Sequence, residues 1–264
     1  VSVPFWLAAL AAALAVWPLY EHALMPLLRW AVMRPANQVI DEVGKRLRIG
    51  IRPFQRTRRQ ALIHRLVTDP KVQQAAEGFA RRNNVPLLTA MRIVERYARD
   101  TVPAFNAYLY FRIGYWLGKQ LAQLLYRVRL GYVDSENLAR VESDATVVFV
   151  MNHRSNMDYV LAGYLAAHQT ALSYAVGEWA RIWPLSALIR WMGAYFVRRN
   201  SKDELYRRVL ERYIVMATEA GVPQAVFPEG GLTRDGRMRE PKLGAIDYMM
   251  RGFRNDGERD LVFV

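Results

Sequence analysis

The chain has 264 residues, 52% of them hydrophobic, which is enough for one sizeable globular domain plus an appendage. It contains no cysteine, so disulfide scaffolding, thiolate metal ligation and a cysteine nucleophile are all excluded. A net charge of +13 and a pI near 10.2 point to polyanionic partners, whether nucleic acid, anionic lipid headgroups, acidic carrier proteins or phosphorylated substrates.

Val1 to Tyr20 carries no charged residue, and its length of about twenty matches the hydrocarbon core of a bilayer. No basic stretch precedes it and no small-residue cleavage site follows, so a secretory signal fits poorly. Residues 1–33 are expected to form a membrane-inserted or membrane-spanning segment, with Trp6 and Trp17 at its interfaces. The chain then turns basic through Arg34, Lys45, Arg46, Arg48, Arg52, Arg56, Arg58, Arg59 and Arg65, interrupted only by Asp41 and Glu42. This is a positive-inside signal, and it places everything downstream on the cytoplasmic side of the membrane, against anionic lipid.

Residues 34–130 read as a basic and aromatic helical region. Apolar residues recur three and four apart, as in Leu87 to Arg99, and Pro70, Pro86 and Pro103 act as breaks. Tyr108, Tyr110, Phe111, Tyr115 and Trp116 give one helix an aromatic surface suited to lipid contact or, more simply, to core packing. Residues 131–264 have a different texture. Short β-branched or aromatic runs (Thr146 to Met151, Leu172 to Val176, Ala194 to Val197, Ala225 to Phe227, Leu261 to Val264) alternate with helical stretches. That alternation predicts an α/β domain with a largely parallel sheet flanked by helices, and functional loops where strands end.

Three segments at such strand ends carry chemistry. The first is Asn152 to Tyr159, with His153 and Asp158 five residues apart. On one ideal helix these positions diverge by roughly 140°, so the pair meets only if His153 sits in a loop and Asp158 in the first helical turn. There Asp158 can accept from one ring nitrogen and leave the other as a general base. A second reading needs no catalysis: Ser155 as N-cap with Asp158 three residues on forms a capping box. The two are compatible. The second segment, Gly193 to Arg199, ends a strand with Arg198 and Arg199, whose guanidinium groups suit bidentate recognition of phosphate or carboxylate. The third, Phe227 to Arg234, sets Glu229, Gly230, Gly231, Thr233 and Arg234 on a loop whose backbone can approach an anion closely.

In this order the blocks His-x4-Asp, Gly-x-x-Phe-x-Arg-Arg and Phe-Pro-Glu-Gly resemble the glycerolipid acyltransferase family. The run His153 to Tyr159 is most similar to its glycerol-3-phosphate and dihydroxyacetone-phosphate branch. The resemblance implies that His153 deprotonates an acceptor hydroxyl and that Asp158 orients His153. It implies that Arg154, Gly193, Phe196, Arg198, Arg199, Glu229, Gly230, Gly231, Thr233 and Arg234 shape the substrate site. It implies direct transfer of a fatty acyl group from acyl-CoA or acyl-ACP to the sn-1 hydroxyl of glycerol 3-phosphate, with no metal and no cofactor beyond the thioester co-substrate. Lysophosphatidate is the alternative acceptor, and a catalytically inactive basic membrane-binding scaffold is the alternative from another class. The implied partners are membrane lipids, the thioester donor and a phosphorylated small-molecule acceptor, with no nucleic acid. Leu232 stands where the family usually has an arginine, so the charge is expected from Arg199, Arg234 or Arg237. The family's fourth, proline-containing block begins on the strand that reaches Val264, so the resemblance implies a domain truncated at its C-terminus.

Overall fold

The computed structural model describes residues 42, 47, 49–127, 141, 144–167, 170–182, 185–198, 201–233, 235, 237–253 and 259–264. The expected membrane segment at 1–33 lies outside the described residues. Among those described, no helix is long and apolar enough to cross a membrane.

After a single helical turn at Pro53–Arg56 come α1 (Arg59–Val67), α2 (Pro70–Arg82) and α3 (Leu87–Thr101). The prolines punctuate as expected: Pro70 opens α2, Pro86 is the N-cap of α3, and Pro103 follows the end of α3. A π-helical turn, Leu109–Gly114, leads into α4 (Tyr115–Leu125). Its aromatics divide by side. Tyr110 and Phe111 are buried, whereas Trp116 is 60% exposed.

The α/β expectation is met. Five strands, β1 (Thr146–Val150), β2 (Ser173–Gly177), β3 (Tyr195–Val197), β4 (Gln224–Val226) and β5 (Leu261–Phe263), pair in parallel in the order β3-β2-β4-β1-β5. The helices α5 (Asp158–Ala166), α6 (Leu185–Trp191), α7 (Glu204–Glu219) and α8 (Gly244–Arg251) connect them. Both faces of the sheet are covered, so successive strand residues enter different cores. Val148, Tyr195 and Val226 pack with α7, α3 and α2, and Phe149, Phe196 and Ala225 pack with Tyr159 and Ala166 of α5.

The helical region is anchored to the first of these faces. Asp69 caps α2 by accepting from the Lys71 and Val72 amides at 3.0 and 3.3 Å. The same carboxylate is gripped by Arg212 of α7, with Nη2 2.8 Å from Oδ2 and Nε 3.1 Å from Oδ1. Both side chains are largely buried, so this fork fixes the position of α2 along α7.

The strand order also locates the site. β1 and β4 are neighbours, yet the chain leaves β1 toward β2 on one side and leaves β4 toward β5 on the other. Connections that leave adjacent parallel strands in opposite directions across the sheet open a crevice at the strands' carboxyl ends. The first and third blocks follow β1 and β4.

Candidate active site

Asn152 and His153 leave β1 in an extended loop, and Asp158 opens α5. One oxygen, Asp158 Oδ2, gathers three nitrogens: the amide of Arg154 at 2.7 Å, the amide of Ser155 at 2.8 Å and Nδ1 of His153 at 3.1 Å. The bond from Ser155 N is half of a capping box. The reciprocal half is displaced by one residue, because Ser155 Oγ accepts from the Met157 amide at 3.1 Å. Helix capping and histidine orientation therefore share one atom. An oxygen already accepting two amide protons acts as an acceptor toward the ring too, so we assign the proton to Nδ1. Nε2 is left with a free lone pair.

His153 is 1% exposed, and its Nε2 is buried with no hydrogen-bond partner among the described residues. The ring is held by aromatic faces, Phe227 with centroids at 4.5 Å and Tyr159 at 5.0 Å. Both rings and His153 line a cavity of about 320 Å³ between the carboxyl ends of the strands and the helices α7 and α8. Its described lining includes Arg198, Arg207 and Lys242 and no carboxylate. Most of the remaining surface is apolar, including Leu210, Ile214 and Val226. An apolar chamber with a basic imidazole and a surplus of cations suits a ligand with both a hydrocarbon part and an anionic group.

The third block holds this histidine by its backbone. Glu229 is buried, and its Oε1 accepts from the His153 amide at 3.2 Å while Oε2 accepts from the Arg239 amide at 3.3 Å. The Thr233 amide donates to the His153 carbonyl at 3.1 Å. Glu229 and Thr233 thus clamp the loop after β1 to the loop after β4. Gly230 has φ +64, and a Cβ there would sit 3.0 Å from Lys242 Cδ. The glycine lets the lysine stem lie across the turn into the cavity. Gly231 is buried in the same turn, and Arg234 lies outside the described residues. Arg237 is on an exposed stretch away from the cavity lining.

The second block divides. Arg198 lines the cavity; its Nη2 lies 3.3 Å from Asp100 Oδ2, and its guanidinium stacks over Tyr97 and Tyr206 at 4.9 and 5.2 Å. Arg199 lies outside the described residues. Phe196 is fully buried beneath the guanidinium groups of Arg190 and Arg181, at 5.0 and 5.6 Å, and does not reach the cavity. Gly193 makes the turn into β3 with φ +86, where a Cβ would press on the Leu172 carbonyl at 3.2 Å. Arg154 contributes its amide to Asp158, but its side chain is exposed and lines a separate small cavity beside α4. These three serve the site through backbone and packing.

Four residues of the site carry no motif. Lys242 stands thirteen residues beyond Glu229, Arg207 and Tyr206 lie inside an ordinary amphipathic helix, and Asp100 comes from the helical region ahead of the sheet. The Pro241-Lys242 pair after an Arg-rich loop is the only local hint of any of them.

The parallel α/β domain thus sets a His–Asp pair at the carboxyl ends of its strands, beside a cavity that is apolar and cationic, an arrangement with which general-base chemistry is compatible. The acyltransferase family model matches residues 132–257 of the chain. Over 248 residues the chain is 29% identical to the glycerol-3-phosphate acyltransferase of Actinobacillus succinogenes, covering 92% of this chain and 29% of the relative. It is 29% identical over 249 residues to the protein of that name from Haemophilus ducreyi (90% and 28% covered). It is 32% identical over 202 residues to that from Aeromonas hydrophila (74% and 25%). The chain thus spans under a third of the length of these relatives.

Proposed function

We propose that this chain supplies the catalytic centre of a glycerol-3-phosphate 1-O-acyltransferase. The observation that carries the reading is that His153 lines the cationic cavity, held through Nδ1 by Asp158, while its buried Nε2 has no hydrogen-bond partner among the described residues. Nε2 takes the proton of the acceptor's sn-1 hydroxyl as that oxygen attacks the thioester carbonyl. The tetrahedral intermediate collapses by expelling the thiolate, which receives the proton from His153. Each step balances without an acyl-enzyme. Arg198 and Lys242 are the residues we assign to the acceptor phosphate, since both line the cavity that holds His153. The donor is acyl-CoA or acyl-ACP, and no metal takes part in the scheme.

Membrane association is part of the same proposal. Trp116, Leu117, Leu124 and Leu125 stand exposed along α4, and Leu165 is exposed on the adjoining α5, an apolar surface suited to lipid. With the basic segment after residue 33, this surface favours a cytoplasmic-side domain resting on a bilayer.

The test is acyl transfer to radiolabelled glycerol 3-phosphate by the detergent-purified protein, with His153→Ala in parallel. The variant should lose about 10²–10⁴-fold in kcat, the range for positioned acid–base catalysis, with an unchanged circular dichroism spectrum. Retained turnover would remove His153 as the base. Turnover with lysophosphatidate alone would move the acceptor to the other branch.

A further inference from the structure

The catalytic cavity does not end at α8. Arg207, Gly244 and Tyr248 line both it and a second, larger cavity of about 1110 Å³ between α2, α7 and α8. The two meet along one seam. The first is mostly apolar, whereas the second is walled by charge: six cations (Lys71, Arg82, Arg207, Arg208, Arg212, Arg251) against three carboxylates (Glu204, Glu211, Asp247).

Most of those cations are already engaged. Arg82 pairs with Glu204 at 3.0 Å, Arg208 and Arg251 with Glu211 at 2.8 and 3.1 Å, Arg251 also with Asp247 at 2.7 Å, and Arg212 with Asp69 at 2.8 Å. The walls are therefore tied together before any ligand arrives. The side chains of Arg207 and Lys71 have no ion pair or hydrogen bond among the described residues. Arg207 stands on the seam, and at Gly244 the space a Cβ would occupy is open.

We propose that this groove holds the phosphate-bearing nucleotide end of a coenzyme A thioester, with Arg207 at the neck and Lys71 further out as its phosphate contacts. The inference rests on the acyl-transfer reading of the His153 cavity. A donor whose reacting carbonyl meets an imidazole in an apolar chamber, and whose far end carries several phosphates, needs this change from apolar to cationic lining along its length. Arg207 offers an unengaged planar fork to phosphate oxygens. The alternative anionic donor is an acidic carrier protein. It would bring carboxylates against Glu204, Glu211 and Asp247, and it presents a convex surface where this site is concave. A small polyphosphate avoids both conflicts.

Titration calorimetry of the detergent-purified protein with unacylated coenzyme A tests the groove without requiring turnover. Arg207→Ala should weaken binding about tenfold or more and Lys71→Ala by less, roughly two- to fivefold, each with an unchanged acceptor KM. His153→Ala should bind coenzyme A as the parent does. Unaltered affinity in Arg207→Ala, or no coenzyme A binding by the parent protein, overturns the proposal. So does a rise in acceptor KM with donor affinity unchanged, which would assign Arg207 to the acceptor phosphate. If coenzyme A binds and Arg207→Ala loses it while glycerol 3-phosphate is not acylated, the groove stands and the acceptor assignment falls.

Discussion

The first and third blocks both end at His153, but they reach it over different distances along the chain. In the first, the polar contacts of Asp158 Oδ2 among the described residues are made within five positions: Nδ1 of His153 and the amides of Arg154 and Ser155. In the third, Glu229 joins an amide 76 positions earlier to one ten positions later. One block presents the imidazole, and the other holds the loop on which it is presented. A group that acts on the ring and a group that acts on the loop should fail in different ways.

Removing each carboxylate in turn should separate the two roles. Asp158→Ala should lower kcat by about 10²–10⁴-fold, because the ring loses its orienting acceptor. In a His153→Ala background the same substitution should add almost nothing, since Asp158 acts through the imidazole. Glu229→Gln retains an acceptor for the His153 amide but sets an NH2 group against the Arg239 amide. Its cost should be about tenfold or less in kcat/KM, with the pH profile unmoved. Steady-state kinetics of the three variants decides the matter. A Glu229→Gln loss as large as that of Asp158→Ala would show that Glu229 touches the reacting atoms instead of positioning the loop.

Gly230 tests the third block alone. Alanine there must adopt φ near +64 and would lie 3.0 Å from Lys242 Cδ, the middle of a flexible stem that can give way. We expect a loss of about 1–2 kcal/mol from the backbone, read as a shifted urea midpoint, together with a raised acceptor KM as Lys242 moves. A stability loss with KM unchanged would separate Lys242 from the acceptor.

The same contrast in distance explains what could be read from the sequence. The five strands fall within a residue or two of the β-branched runs that predict them, and the helix breaks fall at Pro70, Pro86 and Pro103. The His153–Asp158 pair was legible because loop, cap and helix start are consecutive. Nothing local tells that Glu229 faces the His153 backbone and not the acceptor, because that follows from β1 and β4 being neighbours, a fact of strand order. Phe196 reads as a site residue by position in its block, yet strand alternation turns it into the core under Arg190. Arg207 and Lys71 lie on different helices and share a groove only because the Asp69–Arg212 fork fixes α2 along α7. The membrane reading of residues 1–33 rests on composition and stays a proposal.

At pH 8 the smallest effect on stability is expected in the cavity wall on β3. Tyr195 is fully buried, and its hydroxyl has no hydrogen-bond partner among the described residues. Burial raises its pKa above the ordinary phenol value, with neighbouring Tyr213 and Tyr206 adding to the shift. The sign follows from which state keeps the proton. Below the unfolded value of about 10 both states are protonated, and the full stability is present. Above it the unfolded chain ionises and the folded one does not, so stability falls by about 1.4 kcal/mol per pH unit for this residue until the folded pKa is passed. Tyr195→Phe removes that slope and also an unpaired buried hydroxyl. It should stabilise the fold by about 1 kcal/mol at pH 8 and by about 1.4 kcal/mol more at pH 11, read from urea midpoints. Destabilisation at pH 8 would mean that the hydroxyl has a partner inside the cavity, and acceptor KM in the same variant would show whether that partner is substrate.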